Sequence, residues 1–119
     1  MQKVNLKQKL DLIAEHWSPK IVGALNGQHV KLVKVRGQFV WHSHEHEDEL
    51  FLVLGGRLAI RLRDREIVLE AGEFFIVPRG VEHMPVADDE AHVLLFEPAS
   101  TVNTGDVRDA RTIVEPEWL

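Results

Sequence analysis

Apolar and polar positions in the first part of the chain follow the period of a helix. Between residues 3 and 17 the apolar side chains recur every three or four positions, and charged side chains occupy the other faces. The apolar positions are Leu6, Leu10, Ile13, Ala14 and Trp17. Asn5 can cap the start, and Pro19 ends the run because proline has no backbone N–H to donate. The pattern predicts a short N-terminal helix over about residues 3–17.

From about residue 20 the pattern becomes that of short strands. The clearest run is residues 57–63, where apolar and polar side chains alternate, and residues 66–70 are its predicted partner. Asn26 and Gly27 separate two further strand-like runs, as the turn of a hairpin would. Roughly eight or nine short strands at this spacing predict an all-β domain, a sandwich or a small closed barrel, over about residues 20–97.

Three runs are apolar on both faces: residues 50–54, 74–77 and 93–96. Such strands need cover on two sides, from a second sheet, the helix or another subunit. Together with Trp17 and Trp118 near the two ends, they lead us to expect a symmetric homodimer. The tail, residues 98–119, is less regular and either wraps the barrel or reaches a partner.

Composition narrows the class of protein. A chain of 119 residues, 45% apolar and 28% charged, is expected to fold as one globular domain over residues 1–119. The net charge of -5 disfavours nucleic acid as a partner. The absence of cysteine excludes disulfides and thiolate metal sites, and the absence of tyrosine excludes a tyrosine acid or base. With no long apolar run and no signal-like start, we expect a cytoplasmic protein with no membrane partner.

The candidate chemistry lies in a histidine cluster. Seven histidines are present, and three of them fall within residues 42–46. In a strand, His42 and His44 would share a face. Glu49 heads the apolar run that follows, and His83 comes after a turn-forming Pro-x-Gly. If their strands are neighbours, these four side chains converge in a set that suits Fe, Mn, Ni, Cu or Zn and leaves coordination positions open.

The spacing of these residues resembles the two motifs of the cupin superfamily. The first motif, G-x5-H-x-H-x3,4-E-x6-G, is matched from its first histidine onward by His42-x-His44-x4-Glu49-x6-Gly56, whereas Gly37 stands one residue away from the leading glycine position. The second, G-x5-P-x-G-x2-H-x3-N, is matched by Gly72-x5-Pro78-x-Gly80-x2-His83, with Ala87 at the terminal asparagine. The chain is thus similar to a small single-domain cupin of the mannose-6-phosphate isomerase-like kind.

The resemblance implies a double-stranded β-helix, or jelly-roll, barrel. It also implies one divalent metal ion, held by His42, His44, Glu49 and His83, and a homodimer. Ala87 removes an amide that is not at a ligand position, so the departure leaves the metal expectation intact. Cupins include dioxygenases, isomerases of sugars and sugar phosphates, decarboxylases and lyases, and the resemblance does not choose among them.

Residues near the motifs have ordinary structural interpretations. His46 is expected in an acidic turn at the barrel mouth, His92 as a partly buried structural histidine, and His16 and His29 at the surface. Arginines in the 57–63 run are expected to pair with Glu66 and Glu70 across strands rather than to bind phosphate.

The aromatic and apolar residues near the motifs divide into two groups. Phe39 and Trp41 are expected to pack between layers. The predicted pocket-lining residues are Phe51, Val40, Val53, Met84 and Phe96.

The leading hypothesis is a metal-dependent enzyme acting on a small organic molecule. Oxygenase-type chemistry is favoured because no Lys or Arg in the predicted pocket strands is placed to receive a phosphate. The alternatives are a sugar or sugar-phosphate isomerase or lyase, and a non-catalytic ligand-binding or sensor protein. The sequence identifies no catalytic residue beyond the metal ligands.

Overall fold

The computed structural model describes all 119 residues and consists mainly of antiparallel strands. One short helix precedes seven strands: α1 (Leu6–Leu10), β1 (Lys20–Leu25), β2 (Gln28–Gln38), β3 (Glu49–Gly55), β4 (Arg57–Leu62), β5 (Glu66–Glu70), β6 (Phe74–Val77) and β7 (His83–Pro98). There are fewer strands than predicted because β7 runs for 16 residues without a break.

The long strand β7 organises the sheet. The strand order is β1-β2-β7-β3-β6, and the β4–β5 hairpin also joins β7. The first part of β7 pairs with β4, its second part pairs with β3, and β2 lies along both parts. The sheet therefore wraps around an interior, and the predicted all-β jelly-roll barrel is confirmed.

Alternate residues of the barrel strands build two separate cores. The inward positions of strands β2 to β7 form a cluster of 12 buried residues that includes Val53, Ile60 and Val93. The opposite face of β1 and β2 packs with the N-terminal segment in a second cluster, Leu10, Ile13, Val22 and Leu32. β2 therefore contributes apolar side chains to a core on each of its faces.

The N-terminal helix is shorter than predicted, five residues rather than about residues 3–17. Asn5 does cap it, accepting a hydrogen bond from the N–H of Gln8. Beyond Asp11 the segment instead docks on β2: the Trp17 N–H donates to the carbonyl of Lys34, and its indole Nε1–H donates to that of Arg36. These bonds to β2, together with the burial of Ile13, outweigh the helical propensity of a short segment.

The tail packs on the barrel, in agreement with one of the two roles expected for it. Thr101 and Thr104 are buried, and the final residues return to β1 through hydrogen bonds from Ile21 to Glu117 and from Leu119 to Ile21. No helix of the protein is long and apolar enough to cross a membrane.

Candidate metal centre

Four buried side chains meet inside one end of the barrel. Each of His42, His44, Glu49 and His83 offers a nitrogen or oxygen atom, and these atoms all lie within 4.8 Å of one another. The two histidines of the first motif lie in the segment between β2 and β3, Glu49 begins β3, and His83 begins β7. The structure thus brings together all four residues that the sequence singled out.

Backbone pairing holds the two motifs against each other. The N–H of His42 donates to the carbonyl of His83 at 3.1 Å, and the N–H of His83 donates back to the carbonyl of His42 at 2.9 Å. Three residues before His83, the N–H of Gly80 donates to the carbonyl of His44 at 2.8 Å. The loop with Pro78 and Gly80 is therefore part of the scaffold of the site.

Two imidazole rings are oriented by carbonyl groups two residues earlier in the chain. His42 Nδ1 lies 2.8 Å from the carbonyl oxygen of Val40, and His83 Nδ1 lies 2.9 Å from that of Val81. Because a carbonyl oxygen can only accept, each Nδ1 carries the proton and donates it. Each Nε2 is then left with a free lone pair, the form in which histidine binds a metal.

Several polar atoms at the centre of the cluster have no hydrogen-bond partner. They are His44 Nδ1 and Nε2, Glu49 Oε1 and His83 Nε2. Glu49 Oε1 lies 3.4 Å from His44 Nε2 and 3.3 Å from His83 Nε2. Buried polar atoms are nearly always satisfied, because each one left unpaired costs about 1–3 kcal/mol. Convergent lone pairs of three imidazoles and a carboxylate fit a divalent transition-metal ion.

The electrostatics favour the protonation state that a metal needs at His42 and Glu49, whereas His44 must lose a proton when a metal binds. Burial, reinforced by the nearby His83, lowers the pKa of His42 to about 4. Burial also disfavours the charged form of His44, but the hydrogen bond and charge of Glu49 outweigh it and raise the pKa of His44. Burial would raise the pKa of Glu49, yet interactions with the neighbouring Glu97, His44 and His83 side chains hold it well below its usual value. The cluster therefore contains an ionised carboxylate and a neutral His42 ring at neutral pH.

A narrow, largely apolar cavity of about 40 Å³ adjoins the cluster. His42 and Glu49 form its polar end, and most of the rest is hydrophobic. Its lining residues are Trp17, Pro19, Val33, Val35, Phe39, His42, Glu49, Phe51, Leu58, Pro85, Val93, Leu95 and Asn103. The volume is enough for a few water molecules at most. Trp17, Pro19 and Asn103 come from the chain ends, so both terminal segments help to close the cavity.

The pocket-lining prediction is confirmed for Phe51 and wrong for the other four residues. Val40, Val53, Met84 and Phe96 do not line the cavity. Phe96, for example, lies on the opposite face of β7 from Val93 and Leu95, because successive side chains of a strand point to opposite faces.

Phe39 lines the cavity instead of packing between layers, and it stacks on Trp17 with ring centroids 4.8 Å apart. Trp41 lies outside the cavity lining, with the Arg63 guanidinium 3.8 Å from its ring centroid.

A second, wider cleft of about 300 Å³ reaches the cluster from the surface at His44. It is lined mainly by polar residues: His44, Glu45, His46, Glu47, Ser100, Val102, Gly105, Asp106 and Arg108. Most of the charged side chains there are acidic, which favours the approach of a cation. Of the four ligand candidates, His44 is the one that lines this cleft.

The remaining histidines lie outside the cluster. The side chain of His46 is 79% exposed, as expected for the acidic turn. His92 is partly buried and pairs with Glu90, as does the exposed His16. His29 is half-buried rather than at the surface, because the tail brings Trp118 against its ring at 5.8 Å between centroids.

The arginines of β4 behave as cross-strand partners. Arg57 pairs with Glu70 at 3.2 Å and Arg61 with Glu66 at 3.3 Å, as the alternation predicted. Arg63 turns instead to Glu82 at 3.2 Å.

Sequence reasoning missed two buried charges beside the cluster, Lys31 and Glu97. Both are 2% exposed and they contact each other at 2.8 Å. The sequence did contain a signal for Glu97. It lies two residues after Leu95 and four after Val93, so it falls on the same inward face of β7. A charged residue at an inward strand position is uncommon, because lysine and glutamate are rarely buried unless they are paired.

Comparison with known proteins agrees with this geometry. The family model for the cupin domain matches residues 29–97. A cupin-2 domain containing protein from Shewanella frigidimarina is 45% identical, with 80% of this chain and 93% of that chain covered and a TM-score of 0.79. A protein from Neisseria meningitidis is 32% identical over 82% of this chain and 99% of its own, with a TM-score of 0.76.

A curated relative is similar over a shorter stretch. The Bacillus subtilis protein YdbB is 38% identical over 63 residues, which is 52% of this chain and 56% of that protein. The matched region therefore spans little more than half of the YdbB chain.

Proposed function

The chain belongs to the cupin domain family, and from that premise we propose that it binds one divalent transition-metal ion through His42, His44, Glu49 and His83. The observation that carries the proposal is the set of buried, convergent and unpartnered nitrogen and oxygen atoms in this cluster. Coordination would satisfy atoms that the protein itself leaves without partners. Fe, Mn, Ni, Cu and Zn all accept this donor set, so availability decides among them.

We further propose that the protein acts on a small, weakly charged organic molecule, with oxygenase-type chemistry favoured. A bound metal of this class polarises an oxygen atom of a substrate or activates dioxygen. The cavity beside the cluster has a polar end at His42 and Glu49, and no Lys or Arg lines it. A phosphorylated sugar would bring two negative charges to a wall with no cation, which disfavours it.

The residues of the chain have distinct roles in this proposal. The carbonyl groups of Val40 and Val81 hold the His42 and His83 rings so that each Nε2 faces the centre of the cluster. The aromatic side chains of Trp17, Phe39 and Phe51 make the cavity largely apolar, and its volume of about 40 Å³ admits only a very small group of a substrate.

The metal is tested by elemental analysis of untagged protein purified without chelator, beside two single variants. We expect about one metal ion per chain in the wild type, loss of it in His44→Ala, and wild-type content in His46→Ala. His46 is the matched control, since it lies two residues away and its side chain is 79% exposed. Failure of the wild type to hold any ion, even after loading with each candidate metal, would rule out the proposal.

The chemistry is tested separately on metal-loaded protein. We expect oxygen uptake with some member of a panel of small carbonyl compounds, phenols and diketones, in proportion to metal content. A ligand that stabilises the protein in a saturable way and yields no product would instead favour the alternative of a binding or sensor protein.

A further inference from the structure

The four side chains of the cluster are buried, so a metal ion reaches them most directly through a void in the fold. Two of the voids described above touch the cluster. The apolar cavity reaches it at His42 and Glu49, and the polar cleft reaches it at His44. The structure therefore offers two routes between solvent and the cluster.

The apolar cavity is a poor route for a charged species. Its volume is about 40 Å³, and its lining is mostly hydrophobic. A divalent ion would have to give up most of its water there before it met His42 or Glu49. Moving an unpaired charge into apolar surroundings costs far more free energy than moving a neutral group, so this route is disfavoured.

The polar cleft offers a hydrated ion both room and compensating charge. Its volume is about 300 Å³. Three carboxylates and one guanidinium line it: Glu45, Glu47, Asp106 and Arg108. The guanidinium of Arg108 donates to the carbonyl groups of Gly105 and Val107 in the tail. A cleft with an excess of carboxylates raises the local concentration of cations.

Acidic side chains alone are common on protein surfaces, and what distinguishes this cleft is the imidazole among its lining residues. The side chain of His44 is 2% exposed, and neither of its ring nitrogens has a hydrogen-bond partner. A buried polar group left unpaired in this way costs free energy until a ligand satisfies it. The cleft thus joins carboxylates near the surface to a buried, unpartnered member of the cluster.

We propose that the polar cleft is the route by which a divalent metal ion enters the protein, with Glu47 and Asp106 attracting the ion and His44 meeting it first. The inference rests on the proposed metal site. Both carboxylates are held on the walls of the cleft, since Ser100 Oγ donates to Glu47 at 2.8 Å and the Ser43 N–H donates to Asp106 at 2.9 Å. Neither belongs to the four-residue cluster. They therefore act on the rate of metal uptake and not on the final coordination.

The test measures the association rate of Co²⁺ with metal-free protein by stopped-flow absorption. The variant Glu47→Gln/Asp106→Asn removes two charges but keeps the acceptor oxygens, because an amide carbonyl accepts hydrogen bonds as a carboxylate does. We expect association to slow by about 3- to 20-fold at low salt, as Coulomb attraction between a divalent ion and two carboxylates across water implies. The difference from wild type should shrink in about 1 M NaCl, where charges are screened beyond about 3 Å.

The matched control is Asp88→Asn/Asp89→Asn. It removes the same two charges from exposed residues that line a different cleft, beside the β4–β5 hairpin. We expect this control to take up Co²⁺ at nearly the wild-type rate, and all three proteins to share one visible spectrum at saturation. Equal association rates in the control and in Glu47→Gln/Asp106→Asn would overturn the proposal. An altered spectrum in Glu47→Gln/Asp106→Asn would also overturn it, because the carboxylates would then act on the coordination itself.

A single variant decides the matter if Glu47→Gln/Asp106→Asn does not fold. Arg108 is the one guanidinium in the cleft and is exposed, so Arg108→Gln should speed Co²⁺ association by about 2- to 5-fold at low salt. An unchanged or slower rate would count against entry through the cleft. Wild-type protein that binds no Co²⁺ at all would instead refute the proposed function, a result distinct from any change in rate.

Discussion

Gly105 is the residue at which the tail touches the metal-binding segment most closely. Its φ is +56°, and a Cβ atom there would clash with the carbonyl group of Ser43 and lie 3.0 Å from His42 Cδ2. The adjacent Asp106 holds Ser43 on both sides, since its backbone N–H donates to the Ser43 carbonyl and its carboxylate accepts from the Ser43 N–H. The tail is thus fastened directly to the backbone between His42 and His44.

We expect Gly105→Ala to lower both stability and metal content. The added methyl group must displace backbone atoms as well as adopt an unfavourable φ, at a cost of roughly 2–4 kcal/mol. Thermal unfolding and elemental analysis measure the two effects.

The control for this variant is Gly72→Ala. Gly72 has a similar φ of +87°, but nothing lies within 4 Å of a Cβ added there. It should cost about 1 kcal/mol, from backbone strain alone, and keep its metal. Equal losses in both variants would mean that the contact with Ser43 and His42 has no effect on the site.

At the scale of elements, the N-terminal segment after α1 closes the cavity. Trp17 has a φ of +60°, unusual for a bulky residue, and is held there by its two hydrogen bonds to β2 and its stack on Phe39. Lys34 adds a hydrogen bond to the carbonyl of Ile13 at 2.9 Å. Such strain persists where surrounding contacts impose it, which is common at ligand sites.

We expect Trp17→Ala to destabilise the protein by about 2–4 kcal/mol and to enlarge the cavity beside His42. Denaturant unfolding measures the loss of stability. A gain in affinity for small aromatic molecules would show that the cavity is larger. Trp118→Ala is the matched control, because Trp118 is 56% exposed and lies outside the cavity lining. It should cost about 1 kcal/mol or less. Unchanged affinity for aromatic molecules in Trp17→Ala would contradict a closing role.

The same segment is fastened to the β7 strand by a carboxylate between two histidines. Glu90 lies 2.7 Å from His16 Nε2 and 3.0 Å from His92 Nε2, and these hydrogen bonds lower its pKa from 4.5 to about 2. Since the folded-state pKa lies below the unfolded one, Glu90 stabilises the fold above about pH 4.5, and this contribution disappears as the pH falls through about 2.

Replacing Glu90 with glutamine should therefore remove part of the loss of stability that the protein shows as the pH falls. We expect Glu90→Gln to be less stable than wild type at pH 6 and nearly equal to it at pH 2, as measured by denaturant unfolding at each pH. Glu45→Gln, whose side chain is 85% exposed, serves as the control and should follow the wild-type curve. A gap between Glu90→Gln and wild type that stays constant from pH 6 to 2 would argue against a stabilising role for the contacts of Glu90 with His16 and His92.

The strands and three of the four cluster residues could be predicted because their signals are local, whereas His83 joins the cluster through pairing with the distant His42 and was assigned by its match to the second cupin motif. Alternation in residues 57–63 depends on neighbouring side chains, and the spacing of His42, His44 and Glu49 depends on one strand and one turn. The cavity wall could not be predicted in the same way. Trp17 and Asn103 reach it from opposite ends of the chain. The burial of Glu97 could not be predicted either, because it depends on the pairing of β7 with β3.

At the scale of the whole molecule, one face of the barrel stays apolar and uncovered. Phe74 and Ile76 on the edge strand β6 are 60% and 47% exposed. They are paired with Leu52 and Leu50 of β3, which are paired in turn with Leu94 and Phe96 of β7. An exposed apolar edge strand is a template for association unless something covers it. The homodimer expected from the two-sided apolar strands therefore has a specific candidate surface, the outer face of β6 and β3.

We expect a dimer mass by light scattering at micromolar concentration, and a monomer mass for the double variant Phe74→Glu/Ile76→Glu. Two carboxylates on this face would have to be desolvated in a dimer interface, where depletion of charge is the rule. Val68→Glu is the control, since Val68 is 39% exposed on β5 and lies outside the β6–β3 face, and it should remain dimeric. A wild-type monomer would refute the dimer, and a dimeric double variant would place the interface elsewhere. Metal content should be the same in all three proteins, because His42, His44, Glu49 and His83 all come from one chain and lie inside its barrel.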